Sequence, residues 1–217
     1  MENLSKYIEH TLLKQNATAQ EFEKLYTEAK NYGFRGVCVN PAYVKQAAEF
    51  LKGTDVKVVT VVGFPLGANT PEVKAFEAKC AIKDGADEVD MVINVSAIKD
   101  NNWEYVEEDI KTVKNACPDN VLKVILETDL LTTDEIEKAC KVCVNAKADF
   151  VKTSTGFVKN GVGAKKEDVK LMSDTVSPFG LKVKASGGIR DKKAALEMIE
   201  AGATSLGTSA GVAIVEG

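Results

Sequence analysis

The chain contains one histidine and one tryptophan in 217 residues. A lone imidazole, His10, cannot build a histidine-rich metal site by itself, so no metal is expected. Arginine is nearly as scarce, with only Arg35 and Arg190, so an anionic ligand has to be held largely by backbone amides or lysines. No low-complexity linker interrupts the chain, which predicts one domain over residues 1–217. Also absent is any apolar run near the roughly 18 residues that a membrane span requires. The opening Met1-Glu2-Asn3-Leu4-Ser5 lacks the charged-then-apolar order of a secretion signal. A formal charge of -4 leaves no basic face for nucleic acid or anionic lipid. Neither partner is expected, and a cytoplasmic location is.

Five cysteines make an odd number without framework spacing, which suits a reducing compartment. Cys140 and Cys143 form a C-x-x-C pair. Their three-residue spacing places them with Ile136 and Ala139 on the apolar face of a helix, so they are expected to be core residues rather than a redox or metal site.

What the chain does have is regular alternation. Near-continuous apolar, β-branched runs occupy 36–39, 56–62, 88–94, 121–127, 150–156, 181–188 and 205–208, and 8–12 is a less regular eighth. Runs of this kind are expected of parallel strands covered on both faces. Helix signals lie between them. Thr18 with Glu21, and Thr132 with Glu135, form capping boxes. Thr70 and Pro71 open a third helix that Gly85 closes, Trp103, Val106, Ile110 and Val113 mark a fourth stripe, and Asp191 begins one closed by Gly202. Repeated βα units allow a barrel or a doubly wound open sheet. The length, and the lack of a strand followed by G-x-G-x-x-G, favour an α/β fold of the (β/α)8 TIM-barrel type.

Two of the expected strands carry lysines, Lys152 among Phe150 and Val151 and Lys184 among Val183 and Ala185. A buried ammonium is costly unless it is paired or deprotonated, and a neutral amine attacks carbonyls to form a Schiff base. Strand alternation puts Asp90, Lys123, Lys152 and Lys184 on faces that converge if they point inward. One carboxylate cannot neutralise three ammoniums, so at least one lysine should be neutral. Lys152 is then the expected nucleophile, Lys184 the cation that perturbs it, Asp90 the acid/base and Lys123 an electrostatic support. Gly187-Gly188 and Gly207-Thr208-Ser209 follow the last two strands, before helix starts, where barrels often cradle a phosphate.

The chain resembles the deoxyribose-phosphate aldolase family over essentially its full length. The motifs that carry the likeness are IEHTLLK at 8–14, VCVNP at 37–41, VGFPLG at 62–67, GADEVD at 85–90, LKVILET at 122–128, FVKTSTG at 150–156 and VKASGGI at 183–189. The resemblance implies a class I aldolase that reversibly cleaves 2-deoxy-D-ribose 5-phosphate to glyceraldehyde 3-phosphate and acetaldehyde, without a cofactor. By that likeness Lys152 carries the Schiff base, Lys184 perturbs it and shares proton transfer, and Asp90 is the acid/base. The expected phosphate contacts are Thr155, Gly156, Gly187, Gly188, Gly207 and Ser209. A homo-oligomer, dimer or tetramer, is compatible with it.

The chain departs from the family pattern at Glu9, where Asp is usual, and in the longer loop 157–164, in which Lys159 offers a charge. Other Schiff-base aldolases share the lysine logic but need groups for an extra hydroxyl or carboxylate. A pyridoxal-phosphate enzyme would absorb near the visible edge. A non-enzymatic phosphosugar-binding barrel leaves the buried lysines without a purpose.

Overall fold

A computed structural model describes residues 3–217. Eight parallel strands close into a barrel in chain order, each hydrogen-bonded to the next and β8 to β1. They are β1 Ile8–Leu12, β2 Gly36–Val39, β3 Lys57–Val62, β4 Glu88–Val92, β5 Val121–Ile125, β6 Phe150–Lys152, β7 Lys182–Ser186 and β8 Ser205–Thr208. Helices pack outside: α1 Ala19–Tyr32, α2 Val44–Phe50, α3 Pro71–Lys83, α4 Val95–Lys99, α5 Trp103–Ala116, α6 Thr133–Asn145, α7 Lys166–Val176, α8 Lys192–Glu200 and α9 Gly211–Glu216. Among the described residues no helix is long and apolar enough to cross a membrane.

Both expected capping boxes are made, Thr18 with Glu21 at α1 and Thr132 with Glu135 at α6. Asp191 caps α8 by accepting from the Ala194 amide. Gly33 ends α1 in the left-handed conformation that glycine adopts at little cost. Cys140 and Cys143 are buried in α6, and burial pushes the Cys140 thiol up to about 12, which keeps it an inert core group. His10 lies against Glu28 and Phe34, on the side of β1 that faces the helices.

Several strands are shorter than their apolar runs suggest, for local reasons. Asn94 leaves β4 because its side chain caps α4 through the Ala97 amide. Glu127 lies beyond β5 in a left-handed conformation, φ 60°, and so does not share the inward face with Lys123 and Ile125. β6 stops at Lys152, after which Thr153 and Ser154 lock onto Ser186 at the end of β7.

The two faces of the barrel differ sharply. Outward residues such as Val89, Met91, Leu122, Val151 and Leu206 join the large apolar core beneath the helices. Inside, Leu13, Cys38, Val59 and Val61 form a small apolar cluster with Phe64 against it. Much of the remaining interior is charged. Register brings these charges together, because Asp90 aligns with Lys123, and Lys152 aligns with Ile125 on one side and Lys184 on the other.

Candidate active site

Lys184 is wholly buried and Lys152 is 3% exposed. Their ammonium nitrogens meet at one carboxylate oxygen, Asp90 Oδ2, at 2.6 and 2.8 Å. Lys123 takes the other oxygen, Oδ1, at 2.9 Å. All four residues expected from the sequence therefore converge.

The charge balance is larger than the sequence suggests. Glu9 on β1 accepts from Lys184, Arg35 and Ser205, and Glu88 on β4 accepts from Arg35 and lies 2.5 Å from Lys123. The interior thus holds three carboxylates, Glu9, Glu88 and Asp90, rather than one. It also holds four cations, Arg35, Lys123, Lys152 and Lys184, so one positive charge remains in excess. Strand alternation puts Glu88 on the same face as Asp90, but a count of one carboxylate leaves it out, and Glu9 stands on β1 with no sequence signal of its partner. The departure at Glu9 now has a contact: its longer arm reaches Lys184.

The four cations are not held alike. Burial would lower Lys184, but Asp90 and Glu9 outweigh it and hold its pKa above the usual lysine value. Lys123 is raised in the same way, by Asp90 and Glu9 against burial. Lys152 goes the other way. Burial lowers it, the Lys184 ammonium adds to that, and its single contact with Asp90 does not compensate. Burial works to raise Asp90, but Lys123, Lys152 and Lys184 prevail and hold its carboxyl well below the usual range. Glu9 is likewise brought to about 2 against its burial, chiefly by Lys123 and Lys184.

Above this cluster a cleft of about 280 Å³ opens at the carboxyl ends of the strands. Of the four residues, only Lys152 reaches its wall. Thr155, Gly156, Gly187, Gly188, Gly207 and Ser209, the residues expected to hold phosphate, all line the same cleft. Gly207 also makes room for a neighbour, since a Cβ there would lie 3.0 Å from the Lys184 Cε and the Ser186 Cβ. A larger groove of about 880 Å³ between α8 and α9 lies outside the barrel and is walled by surface residues such as Lys193, Leu196 and Glu197. It has no part in the buried charge cluster.

Comparison with known proteins shows the family. The family model described as "DeoC/LacD family aldolase" matches residues 4–216. The chain belongs to that family. It is 60% identical over 216 residues to a deoxyribose-phosphate aldolase of a Geobacillus species, covering 99% of this chain and 96% of the relative. Among solved structures it is similar to a putative deoxyribose-phosphate aldolase from Coccidioides immitis, with TM-score 0.96 and 46% identity over 99% of this chain and 85% of that one. The tetrameric deoxyribose phosphate aldolase from Aeropyrum pernix follows at 0.90 and 36%, covering 98% and 89%. Membership makes the protein an aldolase, a carbon–carbon lyase.

Three residues near the cleft escaped the sequence reading. Arg190, next to Ile189, lines it, whereas Lys159 is exposed and stands off its walls. Glu127 accepts from the Thr155 amide at 3.0 Å and from its hydroxyl, and burial raises its carboxyl. Asp129 accepts from the Gly163 amide at 2.7 Å, while Ala164 donates to Gly187 at 3.1 Å. Asp129 thus ties the long loop 157–164 to the segment after β5, and the Ala164 amide ties it to the glycine turn after β7. The left-handed turn at Glu127, which is not legible from residue type, takes its side chain out of the β5 alternation.

Proposed function

We propose that the chain reversibly cleaves 2-deoxy-D-ribose 5-phosphate to D-glyceraldehyde 3-phosphate and acetaldehyde through a Schiff base on Lys152. One observation carries the reading: two neighbouring lysines share an oxygen of Asp90, and the one whose pKa falls is the one that reaches the cleft. An ordinary lysine is neutral about once in 2,500 molecules at pH 7, so a depressed pKa directly increases the reactive fraction.

The steps follow from these roles. The neutral Lys152 amine adds to C1 of the open-chain sugar and loses water, leaving a protonated imine. The C3 hydroxyl gives up its proton, the C2–C3 bond breaks toward the imine, and glyceraldehyde 3-phosphate departs from an enamine. Protonation of the enamine carbon and addition of water then release acetaldehyde and restore the amine. Asp90 lies between Lys184 and Lys152. A carboxylate of such low pKa does not store a proton but can pass one from Lys184 toward the reacting carbon, and Lys123 fixes it there. Thr155, Gly156, Gly187, Gly188, Gly207 and Ser209 offer amides and hydroxyls for the phosphate, with Arg190 adding charge. The reaction needs no cofactor. Its place in this proposal is cytoplasmic deoxyribose phosphate catabolism, and the assembly is a homo-oligomer that light scattering can measure.

Incubation with acetaldehyde and borohydride should leave a two-carbon adduct on Lys152, mapped by mass spectrometry. An adduct on Lys184 alone, or on no lysine, would overturn the assignment. The phosphate reading has its own test. Gly188 has φ 77°, and a Cβ there would stand 2.7 Å from the Val162 carbonyl oxygen. Gly188→Val should therefore distort the turn and raise KM for 2-deoxyribose 5-phosphate at least about tenfold more than for 2-deoxyribose. Equal effects on the two sugars would put the phosphate elsewhere.

A further inference from the structure

The charged column in the barrel does not end at the lysines. Arg35 comes just after the turn that ends α1, and its guanidinium enters the barrel from the end opposite the cleft. One nitrogen donates to Glu9 and, at 3.0 Å, to Glu88, and the other donates to Glu88 at 2.7 Å. Its side chain is 21% exposed, whereas those of Glu9 and Lys123 are fully buried. From there the contacts run without a break: Glu88 to Lys123, Lys123 to Asp90, and Asp90 to both Lys184 and Lys152.

We propose that Arg35 is a positioning residue of the reaction: by occupying Glu9 and Glu88 it supplies the surplus positive charge that keeps Lys152, at the other end of the column, a free amine. The inference rests on Lys152 being the imine-forming lysine. Its basis is the count of charges sealed in the barrel. With Arg35 there are four cations for three carboxylates, and the cation with the fewest carboxylate contacts is Lys152. Without Arg35 the numbers are equal, Glu88 and Glu9 turn wholly to Lys123 and Lys184, and Asp90 is left to share with a protonated Lys152. Charges inside a closed barrel escape most of the screening that weakens surface pairs, so the effect reaches along the column.

The other groups facing these residues leave the count unchanged. Cys38 on β2 is a thiol that burial keeps protonated. Glu127 lies beyond β5 and touches no cation of the column; both its oxygens accept from Thr155, and burial raises its carboxyl, which weakens its claim on Lys152. At the lower rim Lys57 pairs with Asp87 at 3.6 Å and Lys114 with Asp149 at 2.8 Å, and Lys182 lies exposed beside the Phe150 ring. Ser205 donates to Glu9 without altering its charge.

The test is the pH dependence of borohydride trapping at Lys152 with acetaldehyde, in the full-length chain. Arg35→Met should shift the pH of half-maximal trapping upward by about one unit, so that trapping at pH 7 slows about tenfold and recovers in alkali. Arg35→Gln, which keeps a donor for Glu88 but not the charge, should shift it equally, while Arg35→Lys should stay near the wild type. Arg35→Met combined with Glu88→Gln leaves three cations for two carboxylates and should move the midpoint back. A midpoint unmoved in both Arg35→Met and Arg35→Gln, or a double variant shifted as far as the single one, would reduce Arg35 to a structural ion pair. Failure of the underlying reading looks different: the wild-type chain would then show no adduct at Lys152 at any pH.

Discussion

Lys184→Leu should lower the rate of deoxyribose 5-phosphate cleavage at pH 7 by about a thousandfold, and most of that loss should disappear in alkali. The reasoning begins with charge. Lys184 sits 2.6 Å from Asp90 and also contacts Glu9, and both acids keep it protonated. Removing it deprives Lys152 of its nearest cationic neighbour and leaves Asp90 free to hold a protonated Lys152. If Lys152 then titrates like an ordinary lysine, its neutral fraction at pH 7 falls to about one in 2,500, which sets the size of the loss. The pH of half-maximal imine formation should rise by as much as about three units.

The fold should survive this change. Asp90 keeps Lys123 and Lys152, and Glu9 keeps Arg35 and Ser205, so no buried carboxylate is stranded, the condition that makes broken interior pairs so costly. Circular dichroism checks the fold, and a pH–rate profile separates the two roles of Lys184. An unchanged profile beneath a large loss would mean that Lys184 moves protons without tuning its neighbour.

How far this site could be read from sequence depends on what each feature needed. The barrel was legible because parallel strands buried on both faces write themselves as continuous apolar runs, and the helices carried explicit starts at Thr18 and Thr132. Lys152 and Lys184 stood out because an ammonium among valines has no bland purpose. The acids did not. Glu88 lies two residues before Asp90 and shares its face by strand alternation, yet was left out of the charge count, whereas Glu9 stands where an outward glutamate would look the same, and only barrel closure, with β8 paired to β1, turns it toward Lys184. Arg35 reads as a turn residue before a strand until the guanidinium is seen inside the barrel. The charges left out of the sequence count are two carboxylates, Glu9 and Glu88, and one guanidinium, Arg35, so the excess of cations falls from two to one and the argument for one neutral lysine keeps its sign. Glu127 was misplaced on β5 because strand alternation was carried two residues past the strand's end at Ile125, to the residue where the backbone turns left-handed.

Asp90→Asn should separate proton transfer from imine formation. The substitution removes a negative charge, leaving four cations for two carboxylates, so the pressure on Lys152 to stay neutral increases. The imine with acetaldehyde should still form and be trapped. What the asparagine side chain lacks is the capacity to accept and release a proton, a function typically worth 10²–10⁴-fold. Exchange of the acetaldehyde methyl hydrogens with deuterated water, followed by NMR, should therefore slow at least about a hundredfold. Unlike the Lys184 variant, raising the pH should not restore it, because the missing group is the relay and not the amine. Some stability should be lost as well. A carboxyl held below its usual value stabilises the fold above about pH 4, the ordinary aspartate range, and loses that contribution as pH falls, so the Asn variant should melt lower at neutral pH and depend less on acid. Should methyl exchange stay near the wild-type rate in a folded Asp90→Asn protein, the proton would have to travel through Lys184 and water alone. Asp90 would then be only the anion that holds three lysines together.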